Sequence, residues 1–211
     1  MKKTNIAVLV SGGGTNLQAL IDAEKAGIIR SGSIKLVVSN NKDAYALTRA
    51  KNNSIDTRVV LRRDYENSHD FEAALIGVLK EADIDMIVLA GFMSILSPDF
   101  IAEFRDRMIN VHPSLIPSFC GKGFYGLHVH EAALEKGVKV SGATVHIVTP
   151  ECDAGPIVLQ KAVEVLDDDT PETLQKRIME QAEWKILPEA VRLFCDDKIT
   201  IEINKVYIKG E

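Results

Sequence analysis

The chain has 211 residues, 46% of them hydrophobic and 26% charged, with a formal charge of −5. That length buries a substantial core and fits one ordinary domain. The acidic balance argues against a general nucleic-acid or membrane-surface binder, yet leaves room for a local anion site.

The basic start of "MKKTNIAVLVSGGG" leads into an apolar run too short for a signal-peptide core. No later stretch is long enough to span a membrane, so a cytoplasmic protein is expected. "NIAVLVS" (5–11) reads as a buried strand, and "TNLQALIDAEKAG" (15–27) as a helix with Leu17, Leu20 and Ile21 on one face. "IKLVVSN" (34–40) is a second strand, followed by a helix from about Asp43 to Lys51. "DTRVVL" (56–61) and "FEAALIGVLKEA" (71–82) repeat the alternation, and "DMIVLAGF" (85–92) is the most hydrophobic strand. Ser97 and Pro98 look like the cap and first residue of a helix, with "RMINV" (107–111) the next strand.

From Val138 the pattern changes. "VKVSGATVHIVT" and "GPIVLQKAVEV" are separated by a short loop, as antiparallel strands are. Asp169-Thr170-Pro171-Glu172 opens a long helix to about Phe194, and "ITIEINKVYI" ends the chain as a strand or tail. The sequence predicts an α/β fold: one open sheet, parallel and Rossmann-like at first, with antiparallel additions towards the C-terminus. No linker, repeat or low-complexity tract divides it, so 1–211 is expected as a single domain.

Three stretches carry chemistry. "SGGGTNLQAL" follows a strand and opens a helix, where glycines admit a ligand to the backbone and the helix N-terminus favours an anion. Leu17 stands where a dinucleotide fingerprint needs its third glycine, and no Lys-Ser/Thr follows, so a monophosphate seat is expected. "RDRMINVHPSLIPSF" ends a strand abruptly, because the residue before a proline is pushed to extended geometry. On a strand Asn110 and His112 face the same way, so an amide donor and an imidazole share one site, a pair suited to acyl-type transfer. "HIVTPECDAGPIV" places Asp153 on a glycine-proline loop. It is either a turn former or, beside His112, the group that orients the imidazole and favours its protonated form.

Other constellations lack support. His128 and His130 with Cys120 have no zinc-site spacing, and Ser11 and Ser114 lack a nucleophile elbow. Cys120, Cys152 and Cys195 show no CxxC pattern and read as reduced thiols, with no motif for a cysteine nucleophile.

"SGGGTNLQAL", "VLAGFMSILSP", "INVHPSLIPSF" and "VSGATVHIVTPECDAGPI", in that order, resemble the phosphoribosylglycinamide formyltransferases of purine synthesis. The resemblance implies the formyltransferase fold, with a phosphate-binding half (about 1–105) and a folate-binding and catalytic half (about 106–211). It implies transfer of a formyl group from 10-formyltetrahydrofolate to the amine of glycinamide ribonucleotide, with no metal, in a monomer or homodimer. Asn110, His112 and Asp153 match the catalytic residues, and Gly14, Thr15 and Asn16 the phosphate seat. Met93, Ser94, Ile95, Leu96, Asn110 and Val148 match folate-binding positions. Glu183 matches an acid that contacts the nucleotide. Ser68 stands where the family often carries an arginine near the folate's glutamate tail, with Arg62 and Arg63 close by in sequence, and Ser94 stands where a basic residue is common. The segment 120–126 lengthens the loop after the His-Pro-Ser motif. Related readings are a formyltetrahydrofolate hydrolase, a formyltransferase for a tRNA or nucleotide sugar, and a non-catalytic nucleotide- or folate-binding module.

Overall fold

A computed structural model describes residues 2–210. Seven strands form one sheet in the order β3-β2-β1-β4-β5-β6-β7. The parallel strands are β1 (Thr4–Val10), β2 (Gly32–Ser39), β3 (Asp56–Val59), β4 (Met86–Leu89) and β5 (Met108–His112), followed by antiparallel β6 (Val140–Ile147) and β7 (Ile157–Glu164). The chain leaves β1 in one direction to β2 and β3, then returns to add β4 on the other side. Ligands of open α/β sheets bind outside the strand ends at such a reversal.

Both faces of the sheet are covered. Ile6, Val8 and Val10 pack with α1 (Thr15–Lys25) and the last helices, whereas Ala7 and Leu9 pack with α3 (Ser68–Glu81) and α4 (Pro98–Glu103). The period of two along β1 therefore feeds two cores, which is why the strand reads as continuously apolar. The remaining helices are α2 (Tyr45–Asn52), α5 (Leu127–Lys136), α6 (Pro171–Ile178) and α7 (Trp184–Cys195).

Several boundaries differ from the sequence reading, each for a local reason. α3 begins at Ser68 rather than Phe71, because the Asn67 side chain accepts from the Asp70 N–H at 2.9 Å and caps the helix there. Ser97 caps α4 as expected, its hydroxyl accepting from the Phe100 N–H. The final helix is not continuous: a π-turn at Met179–Glu183 separates α6 from α7. Pro188 lies one turn further on and withholds an N–H from the Trp184 carbonyl, and the wider turn falls just before it. The C-terminal segment is a small hairpin, β8 (Ile199–Glu202) and β9 (Lys205–Ile208).

Candidate active site

The β1–α1 turn is shaped by contact with α2. Gly14 has φ of 71°, and a Cβ there would lie 2.6 Å from the Cβ of Ala46. The Gly12 carbonyl accepts from the Ala46 N–H at 3.1 Å and the Gly13 carbonyl from Arg49 Nε at 2.9 Å. With its carbonyls tied to α2, the turn leads straight into the N-terminal N–H groups of α1, which have no partner within the helix. The π-turn meets the same place: Asn16 Nδ2 donates to Glu183 Oε2 at 2.6 Å, and the Thr15 hydroxyl lies 3.8 Å from the Met179 sulfur. The consecutive Gly14, Thr15 and Asn16 thus form one corner with Glu183, which is far away in sequence. Glu183 is buried, and burial raises its carboxyl to about 7 although the Asn16 hydrogen bond opposes the shift.

The second corner lies at the end of β5. Pairing of β5 with β6 sets Asn110 opposite His146. The loop after β6 returns over them because Gly155 passes so close to the Ile147 carbonyl that a Cβ would sit 1.8 Å from its oxygen. Asp153, on that loop, holds a left-handed backbone at φ 55°, a conformation that aspartate tolerates better than most residues. Its carboxylate reaches Asn110 Nδ2 at 3.4 Å, His146 Nε2 at 3.5 Å and His112 Nδ1 at 3.5 Å, and accepts from the Gly121 N–H at 2.9 Å. Burial pushes this carboxyl up, but His146, His112 and the Gly121 N–H together bring it down to about 2.

His146 Nδ1 donates to the Ile147 carbonyl at 2.9 Å, while its Nε2 lies 3.2 Å from the Asn110 amide nitrogen and 3.5 Å from Asp153. His112 Nε2 donates to the Phe119 carbonyl at 2.9 Å, leaving Nδ1 towards Asp153. Asp153 pulls the His112 pKa upward, in favour of the protonated form. Burial is the largest influence on His112 and outweighs both the Phe119 carbonyl and Asp153, so its pKa lies below the ordinary 6.5.

Between the corners runs the segment after β4. Ser11 Oγ accepts from the Met93 N–H at 2.8 Å and Ser94 Oγ from the Asn40 amide at 2.8 Å, tying the strip to β1 and β2. The Met93 and Ile95 side chains are exposed, offering an apolar wall beside the polar corner. Leu96 is buried in the core, so only its backbone is free to serve a ligand. Val148 is half-buried at the exit of β6, its N–H donating to the Met108 carbonyl at 2.9 Å.

His146 and the Phe119–Gly121 segment were not singled out from the sequence. A buried histidine on a strand carries no signal until β5 and β6 are paired, whereas the Phe119 and Gly121 contacts use backbone atoms alone. The histidines weighed for metal binding part company: His128 is exposed beside Glu131, and His130 is fully buried. Among the described residues, no three or more His, Cys, Asp or Glu side chains are grouped to hold a metal ion. Cys120 and Cys152 have thiol pKa values raised first by burial and then by Asp153, the reverse of an activated nucleophile. The Ser114 hydroxyl is buried and donates to the Ser118 carbonyl at 2.6 Å. No helix among the described residues is long and apolar enough to cross a membrane.

A glycine turn, an apolar strip and a polar corner meet at the strand ends of an open α/β sheet, where folds of this class bind small ligands. Residues 4–191 match the family described as formyl transferase, and the chain belongs to it. It is 40% identical, over 100% of its length and 95% of the relative's, to a phosphoribosylglycinamide formyltransferase from Haemophilus influenzae. It is 44% identical to the human trifunctional purine biosynthetic protein adenosine-3, of which it spans only 19%. Its fold matches glycinamide ribonucleotide transformylase 1 from Symbiobacterium toebii with a TM-score of 0.93, at 42% identity, covering 99% of this chain and 95% of that one. A formyltetrahydrofolate deformylase from Pseudomonas syringae pv. tomato matches at a TM-score of 0.88 but 27% identity, with 99% of this chain and 67% of that one covered.

Proposed function

We propose that this protein transfers the formyl group of 10-formyltetrahydrofolate to the amine of glycinamide ribonucleotide. The observation that carries the reading is the convergence of Asn110, His112 and His146 on Asp153, beside a strip that hydrogen-bonds to the glycine turn. The relatives of similar length bear that activity in their names.

In this reading Gly14, Thr15 and Asn16 seat the acceptor's phosphate, and Glu183 contacts the nucleotide beside them. Met93, Ser94, Ile95, Leu96 and Val148 hold the folate, backbone groups taking the ring edge while Met93 and Ile95 shield its face. The Arg62 guanidinium, 3.3 Å from the Ser68 hydroxyl, takes the place of the family's arginine towards the donor's glutamate.

Asn110 donates to the formyl oxygen as the amine adds to the formyl carbon and negative charge develops. Its bond to Asp153, at 3.4 Å, is the weaker of its two and the one free to turn. An oxyanion donor of this kind is worth about 3–4 kcal/mol of barrier. His112, neutral beforehand, accepts the amine's proton at Nδ1, directly or through a water, and Asp153 stabilises the imidazolium. The proton then passes to N10 as the N10–formyl bond breaks. His146, with Nδ1–H fixed on the Ile147 carbonyl, keeps the Asn110 amide nitrogen facing the site.

The test is to follow tetrahydrofolate formation from 10-formyltetrahydrofolate with and without glycinamide ribonucleotide. The expected result is product only when the ribonucleotide is present. The likeness to the deformylase favours a second reading, with water as acceptor, and product at equal rate without the ribonucleotide would establish it.

A further inference from the structure

Two of the three free cysteines flank Asp153. Cys152 directly precedes it in the loop after β6, and Cys120 lies in the loop after β5, between Phe119 and Gly121. Those two neighbours of Cys120 reach into the polar corner, the Phe119 carbonyl accepting from His112 Nε2 at 2.9 Å and the Gly121 N–H donating to Asp153 at 2.9 Å. One hydrogen bond therefore joins the residue after Cys120 to the residue after Cys152, across 32 positions of sequence. Asp153 raises the pKa of both thiols and Cys120 raises that of Cys152, an influence that requires the groups to be close. The Cys120 thiol donates to the Pro117 carbonyl at 3.3 Å, a weak bond within its own loop. Neither cysteine belongs to a helix or strand, so the sheet does not hold the two apart.

Such thiols are ill suited to catalysis and better suited to a lasting cross-link. A disulfide is strongly oxidising when its reduced form is stabilised as a thiolate. Here partial burial and Asp153 raise both thiol pKa values, so the reduced form has no such stabilisation. Resting on the active-site reading above, we propose that Cys120 and Cys152 are a redox modification site, whose disulfide stops turnover at the polar corner. The Cys152 thiolate, the more exposed of the two, attacks a low-molecular-weight disulfide such as oxidised glutathione, whose S–S bond breaks to release one glutathione thiolate. The Cys120 thiolate then attacks the Cys152 sulfur, the mixed S–S bond breaks, and the second glutathione leaves. The protein gives up two electrons and two protons, and the oxidant becomes two thiols. The new bond ties the Phe119–Gly121 segment to the Asp153 loop. Asn110 has to turn from Asp153 to meet the formyl oxygen, and the tied loops lose the independent movement that admits a ligand between them.

The experiment incubates the wild-type protein with oxidised glutathione, maps its disulfides by peptide mass spectrometry, and measures formyl transfer before and after. The expected result is a peptide pair joined through Cys120 and Cys152, with activity restored by dithiothreitol. Small displacements around reacting groups cost up to ~10²-fold, so kcat should fall about tenfold or more in the oxidised protein. Cys120→Ser and Cys152→Ser variants should keep the basal rate and lose the sensitivity. Thiols that stay free, or glutathione left on either cysteine with no link between them, overturn the proposal, as does a mapped link with kcat unchanged. A loss of activity that persists in either variant also overturns it, because another group is then the target. Failure of the active-site reading looks different, since the reduced protein then transfers no formyl group. In that event binding of 10-formyltetrahydrofolate by the reduced and the cross-linked protein decides, and equal affinity overturns the proposal.

Discussion

Asp153 and Glu183 are both largely buried carboxylates at the same edge of the sheet, yet their pKa values move in opposite directions. Burial raises each. Asp153 gathers the Gly121 N–H, the Asn110 amide and two imidazoles, and falls to about 2. Glu183 has the Asn16 amide alone and rises to about 7. The polar and charged groups gathered around each carboxylate decide which side burial ends on. One corner is therefore organised around a fixed negative charge beside two imidazoles. The other holds an acid that changes charge near neutral pH.

The largest expected effect lies at the fixed corner. If Asn110 donates to the developing oxyanion as proposed, Asn110→Ala should lower kcat by about 10²–10³ while changing the KM of either substrate far less. A kcat near that of the wild type would take Asn110 out of the chemistry. At the other corner the effect is on stability and has a sign. Glu183 has a folded-state pKa above its ordinary 4.5, so the folded protein retains that proton longer than the unfolded chain does. The resulting penalty is absent below about pH 4.5 and grows as pH rises through 7. Glu183→Gln should raise stability at pH 8 to 9 by at most about 3 kcal/mol and leave it unchanged at pH 4, as read by denaturant unfolding. The same variant should weaken acceptor binding. An equal change at both pH values would mean that packing, not ionisation, governs this position.

Much of this division was legible beforehand, and what was not has a physical explanation. The parallel strands announce themselves because they are buried on both faces, and β1 is apolar at every position from Ile6 to Val10. Asn110 and His112 were paired by the period of two, and Asp153 was noted because it precedes a glycine-proline turn. The link between Asn16 and Glu183 depends on a π-turn within what reads from the sequence as one continuous helix. His146 depends on the register of β5 against β6, which no local pattern encodes. The balance of influences on His112 is hidden for a related reason. Its acidic neighbour was named from the motif, whereas the burial that outweighs it is a property of the assembled fold.

Gly14→Ala sharpens the comparison on the side of the phosphate seat. The new Cβ would meet Ala46 at 2.6 Å in a backbone with φ of 71°. Strain of this kind costs about 1–3 kcal/mol, so the melting temperature should fall and the acceptor's KM should rise with kcat nearly preserved. A variant with wild-type KM would show that the acceptor does not use this turn.

The smallest effect is the most specific, because it asks what the fixed charge does for its neighbour. If His112 accepts the amine's proton, the free enzyme needs it neutral, and kcat/KM should fall on the acid side with an apparent pKa below 6.5. Asp153 raises that pKa against the stronger effect of burial. Asp153→Asn removes the charge, so the acid limb should move to lower pH even as the plateau drops. A limb that stays in place would mean that another group titrates. Activity that instead declines as pH rises through this range would mean that His112 works as the cation, and the proton would start on the imidazole rather than arrive there.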